Sequence, residues 1–249
     1  MCAKSTPKRL DALVVERGLA ESLPKAQAMI LAGEVSVDGT RADKAGSRFP
    51  HKSRIEVTSR AGKYVSRGGL KLEGALQDFA IDTTARICLD IGSSTGGFTD
   101  CLLQHGAERV YAVDVNVDQL AWKLRQDPRV IRISRNARDL RATDIPEPID
   151  LATVDVSFIS VRKILPSAAA VAEPGADLII LIKPQFELPR QDIGLGGIVS
   201  DTSLHDKAIT AVREASATLA LEILGVRPSH LPGAEGNQEY FLHARKPLR

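Results

Sequence analysis

The stretch that decides the fold reads Ile87-Cys88-Leu89-Asp90-Ile91-Gly92-Ser93-Ser94-Thr95-Gly96-Gly97-Phe98-Thr99. It predicts a short buried strand, a glycine-rich turn and the start of a helix. In α/β proteins such a turn lies at the carboxyl end of a parallel strand, where the backbone can approach a nucleotide-like ligand. Gly92, Gly96 and Gly97 allow close approach because they carry no Cβ. An ordinary strand-to-helix turn without a ligand is the alternative interpretation.

The spacing of these glycines distinguishes the turn from other nucleotide-binding loops. It does not match the G-x-G-x-x-G of dinucleotide-binding folds, and no Gly-Lys-Ser/Thr follows, which argues against a phosphate-binding loop. The pattern Asp-x-Gly-x-x-x-Gly-Gly instead resembles the first motif of S-adenosylmethionine-dependent methyltransferases. The resemblance implies that the cofactor is bound by Asp90, Gly92, Ser94, Thr95, Gly96, Gly97 and Phe98.

Downstream of Arg86 the hydrophobic pattern alternates between strands and helices. The predicted strands are 86–90, 109–113, 129–133, 150–154, 177–182, 221–226 and a last one near 239–243. The predicted helices are 97–105, 117–125, 159–172 and 203–218. Strands separated by helices indicate parallel β-α-β units, so we expect an α/β, Rossmann-like, doubly wound sheet with helices on both faces. The segment 184–201 is a long, polar, glycine-rich connection, of a kind that is usually functional or mobile.

Charged side chains lie at the ends of several of these elements. Asp114 ends the second strand, where an acid can reach the ribose hydroxyls of a nucleoside or can simply cap the next helix. Asp155 follows the fourth strand, Lys183 ends the fifth, Lys71 lies on the helix that enters the domain, and Glu239 begins the last strand. Each alone has a plainer interpretation as a surface lysine, a helix cap or a strand-end charge. Because parallel strands end at one sheet edge, where ligands bind, we expect these side chains to gather there.

The N-terminal part of the chain differs in charge from the rest. Residues 1–71 hold 14 basic and 7 acidic side chains, whereas the remainder is mildly acidic. This asymmetry suggests a module that binds a polyanion, although a solvated basic face is the alternative. Apolar spacing predicts two short helices ending at Gly18 and Gly33, and Asp38-Gly39 predicts a tight hairpin turn before a strand at 53–57.

Three motifs of this module read Arg9-Leu10-Asp11-x-Leu13-Val14, Gly18-Leu19-Ala20-x-Ser22 and Gly33-x-Val35-x-Val37-Asp38-Gly39. Together they resemble the S4-type RNA-binding domain, a small α+β fold that presents a helix pair to structured RNA. The family often has an arginine after the serine that starts the second helix. Here the chain has Leu23-Pro24-Lys25, with Lys25 as a candidate substitute. The expected RNA contacts are the basic side chains Lys8, Arg9, Arg17, Lys25, Arg41 and Arg67.

Five further motifs follow in order along the chain. They are Tyr64-Val65-Ser66-Arg67-Gly68-Gly69-x-Lys71-Leu72, Asp90-Ile91-Gly92-x-Ser94-x-Gly96-Gly97-Phe98-Thr99-Asp100, Asp155-x-Ser157-Phe158-Ile159-Ser160, Lys183-Pro184-Gln185-Phe186-Glu187 and Gly236-Asn237-x-Glu239-Tyr240. They are similar to the hemolysin A (TlyA) family, which joins an S4-type domain to an FtsJ-like ribose 2′-O-methyltransferase. A departure is Asn116-Val117, where the family tends to have glycine and an aromatic residue.

The resemblance implies a domain plan and a set of roles. We expect an S4-type domain at 1–60, a linker at 61–68, and a methyltransferase domain at 69–249 that opens with a helix to Ala80. The implied substrate is a ribose 2′-hydroxyl, on cytidine, in ribosomal RNA or ribosomal subunits. The implied cofactor is S-adenosylmethionine, with Asp114 at its ribose, Asn136 near its adenine and Asp155 close by.

The four residues Lys71, Asp155, Lys183 and Glu239 resemble the catalytic tetrad of the FtsJ-like enzymes. A hydroxyl is a poor nucleophile while protonated, so the reaction needs a base, or a cation for the developing alkoxide. Lys183 is the candidate for both roles, and a neighbouring Lys71 would make it release its own proton more easily. Asp155 and Glu239 would orient the two lysines.

Other features argue against several classes of protein. Cys2, Cys88 and Cys101 show no metal-ligand spacing and no disulfide framework, so we expect no metal. The N-terminus has no apolar signal region, and runs such as 178–182 are far too short to span a membrane, so we expect a cytoplasmic protein without a membrane partner. A membrane-active hemolysin and a non-catalytic RNA-binding factor are the alternative functions; the complete tetrad argues against both.

Overall fold

The chain divides into two compact units, Met1–Gly62 and Lys63–Arg249. The computed structural model describes residues 7–20, 22–31, 35–57, 63–233 and 236–248. Each unit has its own buried hydrophobic core.

The first unit pairs two short helices with small antiparallel sheets. Its elements are β1 (Lys8–Arg9), α1 (Leu10–Glu16), α2 (Leu23–Leu31), β2 (Val35–Val37), β3 (Thr40–Ala42), β4 (Arg48–Phe49) and β5 (Ile55–Val57). Strands β3, β2 and β5 form one sheet in that order, and β1 pairs with β4. Asp38 and Gly39 join β2 to β3 with φ angles of 51° and 82°, which is the left-handed pair that a two-residue hairpin favours. The helix spacing places Leu10, Leu13 and Ile30 in the core.

Asp11 is a fully buried carboxylate at the start of α1. It accepts hydrogen bonds from the Arg9 guanidinium at 3.0 and 2.6 Å, from Gln27 Nε2 at 2.9 Å and from the Ala12 backbone N–H at 2.9 Å. The hydrogen bond from Arg9 is the main cause that lowers the pKa of Asp11 to about 2, against the opposing effect of burial. The carboxylate thus ties α1 to α2 and to the segment before it.

Replacement of Asp11 by asparagine is therefore expected to destabilise the first unit by about 1–2 kcal/mol at pH 7. A lowered pKa means that the ionised carboxylate stabilises the fold above its ordinary pKa and that this contribution disappears as the pH falls toward 2. The difference between variant and wild type should thus shrink below pH 4. Amide hydrogen exchange of α1 and α2, compared at matched pH, measures this loss of stability. Asp43→Asn, at an exposed position, is the control. Equal protection in both variants at pH 7 would contradict the stabilising role.

The second unit is a seven-stranded sheet with helices packed against it. Its strands are β6 (Ile87–Ile91), β7 (Arg109–Asp114), β8 (Val130–Ser134), β9 (Ile149–Val154), β10 (Ala172–Ile182), β11 (Glu222–Pro228) and β12 (Tyr240–Arg245). Its helices are α3 (Arg67–Asp78), α4 (Gly97–Gln104), α5 (Trp122–Arg125), α6 (Leu165–Val171), α7 (Pro184–Glu187) and α8 (Thr202–Thr218). The sheet order is β11-β12-β10-β9-β6-β7-β8, and the four pairs among β10, β9, β6, β7 and β8 are parallel.

The last strand runs opposite to its two neighbours, whereas the sequence predicted only its position near 239–243. Strand β12 lies between β10 and β11 and is antiparallel to both. The connection from Pro228 to Tyr240 is shorter than the dozen or so residues that a parallel crossover needs, so the chain returns directly beside β11. This return brings Glu239, directly before β12, to the end of the sheet where Lys183 follows β10.

Residues 63–68 were expected to belong to a linker, but the structure packs them into the second unit. Tyr64 is buried in the core beside Leu72 and Phe98, and the Val65 N–H donates to Asp100 Oδ2 at 2.8 Å. Helix α3 already begins at Arg67. The glycines of this segment indicated a break between elements, but nothing in the sequence indicated that the segment packs against the core of the second unit. Residues 61 and 62 of the expected linker lie outside the described residues.

The polar connection 184–201 contains α7 and two short 3₁₀ turns, Arg190–Asp192 and Leu195–Gly197. Its second half is attached to the segment before β12. The Asn237 side chain donates to the Gly197 carbonyl at 2.9 Å and accepts from the Val199 N–H at 2.8 Å. None of the helices within the described ranges is long and apolar enough to cross a membrane.

Candidate functional site

The site lies at the carboxyl ends of the parallel strands of the second unit. The glycine turn follows β6, Asp114 ends β7, Asn136 follows β8, Asp155 follows β9, and Lys183 follows β10. Parallel strands that enter the sheet in the same direction also leave it at the same edge, which is where α/β proteins bind ligands. The expected gathering of these residues at one edge is thus what the topology produces.

The glycine turn is packed so tightly that side chains do not fit. A Cβ on Gly92 would collide with the Asp155 carbonyl oxygen, one on Gly96 with Leu124, and one on Gly97 with the Ser66 hydroxyl. Gly92 and Gly96 also have φ angles of 87° and 94°, in the left-handed region that favours glycine. At these three positions the turn therefore packs against neighbouring segments with no room for a side chain.

Asp90, which was expected to bind the cofactor, has its side chain inside the protein. Its carboxylate is fully buried inside β6 and accepts from the Thr99 N–H at 2.9 Å, the Thr99 hydroxyl at 2.6 Å and the Thr153 hydroxyl at 3.2 Å. Burial raises the pKa of Asp90 to about 7, and the hydrogen bonds from Thr99 oppose that rise. Asp90 and Gly96 lie outside the lining of the cavities described next, so they shape the turn from below.

Two adjoining cavities occupy this edge and share Gly92, Ser94 and Asp155 in their walls. The smaller, of about 200 Å³, is lined by Ser66, Arg67, Gly68, Lys71, Gly92, Ser93, Ser94, Thr95, Gly97, Phe98 and Asp155. The larger has a volume of about 540 Å³, and its polar and apolar lining includes Asp114, Gln119, Asn136, Ala137, Arg138, Val156, Phe158, Ile159 and Ile164. Together they form a bent groove over the glycine turn, with the size and mixed lining of small-molecule sites.

The groove has the donor and acceptor groups that a nucleoside-containing cofactor requires. Asp114 is held at its mouth by the Ser94 N–H at 2.9 Å and by Gln119 Nε2 at 3.2 Å, and its carboxylate has acceptor capacity left for ribose hydroxyls. Asn136 caps a 3₁₀ turn by accepting from the Arg138 N–H at 3.1 Å. The buried Ser93 hydroxyl lacks a hydrogen-bond partner within the part of the chain that the structure describes, which suits a ligand in the smaller cavity.

The four tetrad candidates form two ion pairs beside the smaller cavity, of which Lys71–Glu239 is buried and Lys183–Asp155 is partly buried. Lys71 Nζ lies 2.5 Å from Glu239 Oε2, and Lys183 Nζ lies 2.5 Å from Asp155 Oδ1. The side chains of both lysines are about nine-tenths buried, at 11% and 10% exposed. Buried charges persist when they are paired in this way. Lys183 also donates to the Ser157 hydroxyl at 2.9 Å, so its ammonium is held between two partners.

The six cations expected to bind RNA have varied surroundings. Lys8 pairs with Glu16 at 2.8 Å, Arg9 pairs with Asp11, and Arg17 donates to the carbonyls of Ser53, at 2.8 Å, and His51. These three side chains therefore already have acceptors within the first unit, although those of Lys8 and Arg9 are about half exposed. Lys25 is exposed on α2, Arg67 lines the smaller cavity and donates to the Pro232 carbonyl at 3.1 Å, and the Arg41 side chain lies outside the described residues.

Several residues of the site were not singled out from the sequence. They include Ser66 and Ser93 in the smaller cavity, Ser157 on Lys183, and Glu187 at the end of α7. All four occur inside the quoted motifs. A serine next to a glycine turn or a strand end carries no individual signal, because its hydroxyl is as common in a plain turn.

Comparisons with known proteins agree with this geometry. A family model described as FtsJ-like methyltransferase matches residues 64–246, and a model described as S4 domain matches residues 8–55. The Bacillus subtilis protein YqxC is 46% identical over 98% of this chain and 87% of its own length. A Mycobacterium tuberculosis H37Rv protein, named 16S/23S rRNA (cytidine-2′-O)-methyltransferase TlyA, is 44% identical over 95% of this chain and 89% of its own.

A solved structure also matches almost the whole chain. It comes from Streptococcus thermophilus and carries the name hemolysin. It superposes with a TM-score of 0.74 at 40% identity, covering 97% of this chain and 89% of that chain. The similarity thus extends over both units rather than over the methyltransferase unit alone.

Proposed function

The chain belongs to the TlyA (hemolysin A) family of FtsJ-like methyltransferases with an S4 domain, and we propose that it methylates the ribose 2′-hydroxyl of cytidine in ribosomal RNA. The single observation that carries this proposal is that two lysines, each about nine-tenths buried, pair with carboxylates beside the glycine-turn groove, as Lys183–Asp155 and Lys71–Glu239. An RNA-binding module without catalysis has no use for two buried lysines at a ligand cavity, because burying charge is costly.

The cofactor is S-adenosylmethionine, which when bound supplies a methyl group already activated by its sulfonium. The protein's tasks are then to orient the acceptor hydroxyl and to manage its proton. We assign Asp114 and Asn136 to the larger cavity as nucleoside contacts. The backbone of the glycine turn and Ser93 would hold the opposite end of the cofactor, with Ser94 and Asp155 between the two cavities.

In this proposal Lys183 acts on the 2′-hydroxyl. As a neutral amine, it would receive the hydroxyl proton while the oxygen–carbon bond forms and the carbon–sulfur bond of the methyl donor breaks. As an ammonium, it would instead stabilise the developing negative charge on the oxygen. Asp155 and the Ser157 hydroxyl fix where that nitrogen points. Lys71 lines the smaller cavity and is oriented by Glu239, so it can position the incoming ribose.

The S4 domain points to RNA as the substrate, and we propose ribosomal RNA, free or in a subunit, as the specific partner. An S4-type domain recognises the phosphates and the shape of RNA rather than its bases. This mode of recognition is appropriate for structured RNA, whose bases are poorly accessible. Lys25, exposed on α2, is the clearest of the expected contacts, since Lys8, Arg9 and Arg17 already have acceptors within the unit.

A chain that lacks residues 1–60 is expected to bind S-adenosylmethionine with affinity within about threefold of the full chain but to lose most of its RNA affinity. RNA binding by the full chain should weaken steeply between about 50 and 200 mM salt, because cations on phosphates release counterions. Calorimetry with the cofactor and filter binding with rRNA measure the two effects separately. Normal rRNA methylation by the truncated chain would overturn the two-module account.

The proposed function is tested by transfer of a tritiated methyl group from S-adenosylmethionine to ribosomal subunits from a strain that lacks this modification. Primer extension at limiting nucleotide concentration then locates 2′-O-methyl groups. The expected result is a discrete stop at a cytidine. Incorporation of the labelled methyl group into protein or into a base, or no incorporation at all, would contradict the proposal.

A further inference from the structure

Glu187 is a buried carboxylate near the site that the chemistry above does not use. It ends α7, and its side chain is 1% exposed. It accepts hydrogen bonds from the Ser160 hydroxyl at 2.5 Å and from the Val161 N–H at 2.7 Å, and it pairs with Arg162 Nε at 3.1 Å. A buried carboxylate with this many donors is firmly held and in turn holds the groups around it.

The groups that donate to Glu187 and Glu187 itself belong to segments that follow two different strands, β9 and β10. Glu187 lies on the short helix that begins directly after Lys183, whereas Ser160 and Val161 lie on the segment that follows β9 and carries Asp155. These two segments supply the two sides of the Lys183–Asp155 ion pair. Glu187 therefore joins the segment of the base to the segment of its carboxylate partner.

The segment after β9 needs such support because its backbone is strained. Phe158 has a φ of 64°, in the left-handed region that non-glycine residues rarely adopt, and it is 93% exposed. Its ring contacts Phe186 at a centroid distance of 5.5 Å but is not buried by that contact. The strained turn lies between Ser157, which accepts from Lys183, and Ser160, which donates to Glu187. Strain persists only when surrounding contacts enforce it.

We propose that Glu187 is a positioning residue for methyl transfer, which holds the strained turn at Phe158 so that Asp155 and Ser157 face Lys183. This inference rests on the proposed function, since Lys183 must be the group that meets the hydroxyl. It assigns Glu187 no contact with the substrate or the cofactor. Its loss should therefore slow the chemical step and leave both ligands bound.

The test compares Glu187→Gln with wild type in single-turnover methyl transfer at saturating cofactor and RNA. Glutamine keeps the shape but presents an NH₂ group to donors that need an acceptor. The rate is expected to fall at least about tenfold, while dissociation constants for S-adenosylmethionine and RNA stay within about threefold. Glu214→Gln, at an exposed position of α8, is the matched control and should behave as wild type.

A second pair of variants decides the matter if Glu187→Gln does not fold. Ser160→Ala removes one donor with little change in volume, and Ser160→Thr keeps a hydroxyl there. We expect the alanine variant to lose about threefold to tenfold in single-turnover rate and the threonine variant to recover most of it. Wild-type rates for Ser160→Ala, or a loss confined to the dissociation constants, would overturn the positioning role. Wild-type protein that transfers no methyl group to rRNA would instead refute the proposed function.

Discussion

Lys183→Ala is expected to reduce methyl transfer by about a thousandfold while the affinity for S-adenosylmethionine stays within about threefold. The reason is that Lys183 contacts Asp155 and Ser157 and is not part of the cavity lining at the glycine turn. Its loss removes the group that manages the hydroxyl proton but leaves the cofactor groove intact. Single-turnover kinetics and calorimetry measure the two quantities.

Two companion variants sharpen this prediction. Lys183→Arg keeps a cation but cannot act as a base, because a guanidinium does not deprotonate in proteins. A base mechanism predicts that Lys183→Arg is nearly as slow as the alanine variant, whereas a purely electrostatic role predicts substantial recovery. Lys207→Ala removes an exposed lysine of α8 that pairs with Asp192, and it should have no effect on methyl transfer. Full activity of Lys183→Ala would remove the lysine from the mechanism.

Gly92→Ala is expected to weaken S-adenosylmethionine binding by at least about a hundredfold. An alanine Cβ there would collide with the Asp155 carbonyl oxygen, and the residue would also keep a φ of 87°. The backbone cost alone is about 1–2 kcal/mol. The collision adds to it by pushing the turn or the segment after β9 out of place, at the point where the two cavities meet.

The control for Gly92 is another glycine of the same unit. Gly106 has a φ of 89°, almost the same as Gly92, but a Cβ there would meet its nearest neighbour, Thr84 Oγ1, at an ordinary 3.4 Å. Gly106→Ala should therefore lower stability without a specific loss of cofactor affinity. Equal cofactor affinities of the two variants would show that the tight packing at Gly92 is unimportant for binding.

Much of the fold and of the site could be predicted because it depends on periodicity and topology. The alternation of strands and helices after Arg86 predicts the doubly wound sheet, and the FtsJ-like family confirms this fold class. Parallel topology then requires the strand-end residues to share one edge. Lys183, Asp155 and Asp114 are found there for that reason.

Other features depend on contacts that a linear pattern does not contain. Asp90 was expected at the cofactor, but its carboxylate is fully buried and accepts from the Thr99 N–H, so it supports the helix after the turn. The direction of β12 follows from the length of its connection, which the strand pattern alone does not reveal. Pairing of each lysine with one particular carboxylate depends on the tertiary fold.

The charge of the first unit shows a similar limit. Its basic excess was interpreted as an RNA-binding surface, and the S4 domain supports RNA as a ligand. Yet the Arg9 guanidinium is bonded to the buried Asp11, and Arg17 donates to two backbone carbonyls. Each of these side chains adds a full positive charge to the unit, although some of its N–H groups already make hydrogen bonds inside the unit. Only the fold shows which of these cations already pair with acceptors inside the unit.

We propose above that the protein uses the paired lysines at the glycine-turn groove to transfer a methyl group to a ribose. The most direct measurement is mass spectrometry of nucleosides from rRNA treated with S-adenosylmethionine and either wild-type protein or Lys183→Ala. We expect 2′-O-methylcytidine with the wild type and none above background with the variant. A base-methylated nucleoside, or equal amounts of 2′-O-methylcytidine from both proteins, would contradict it.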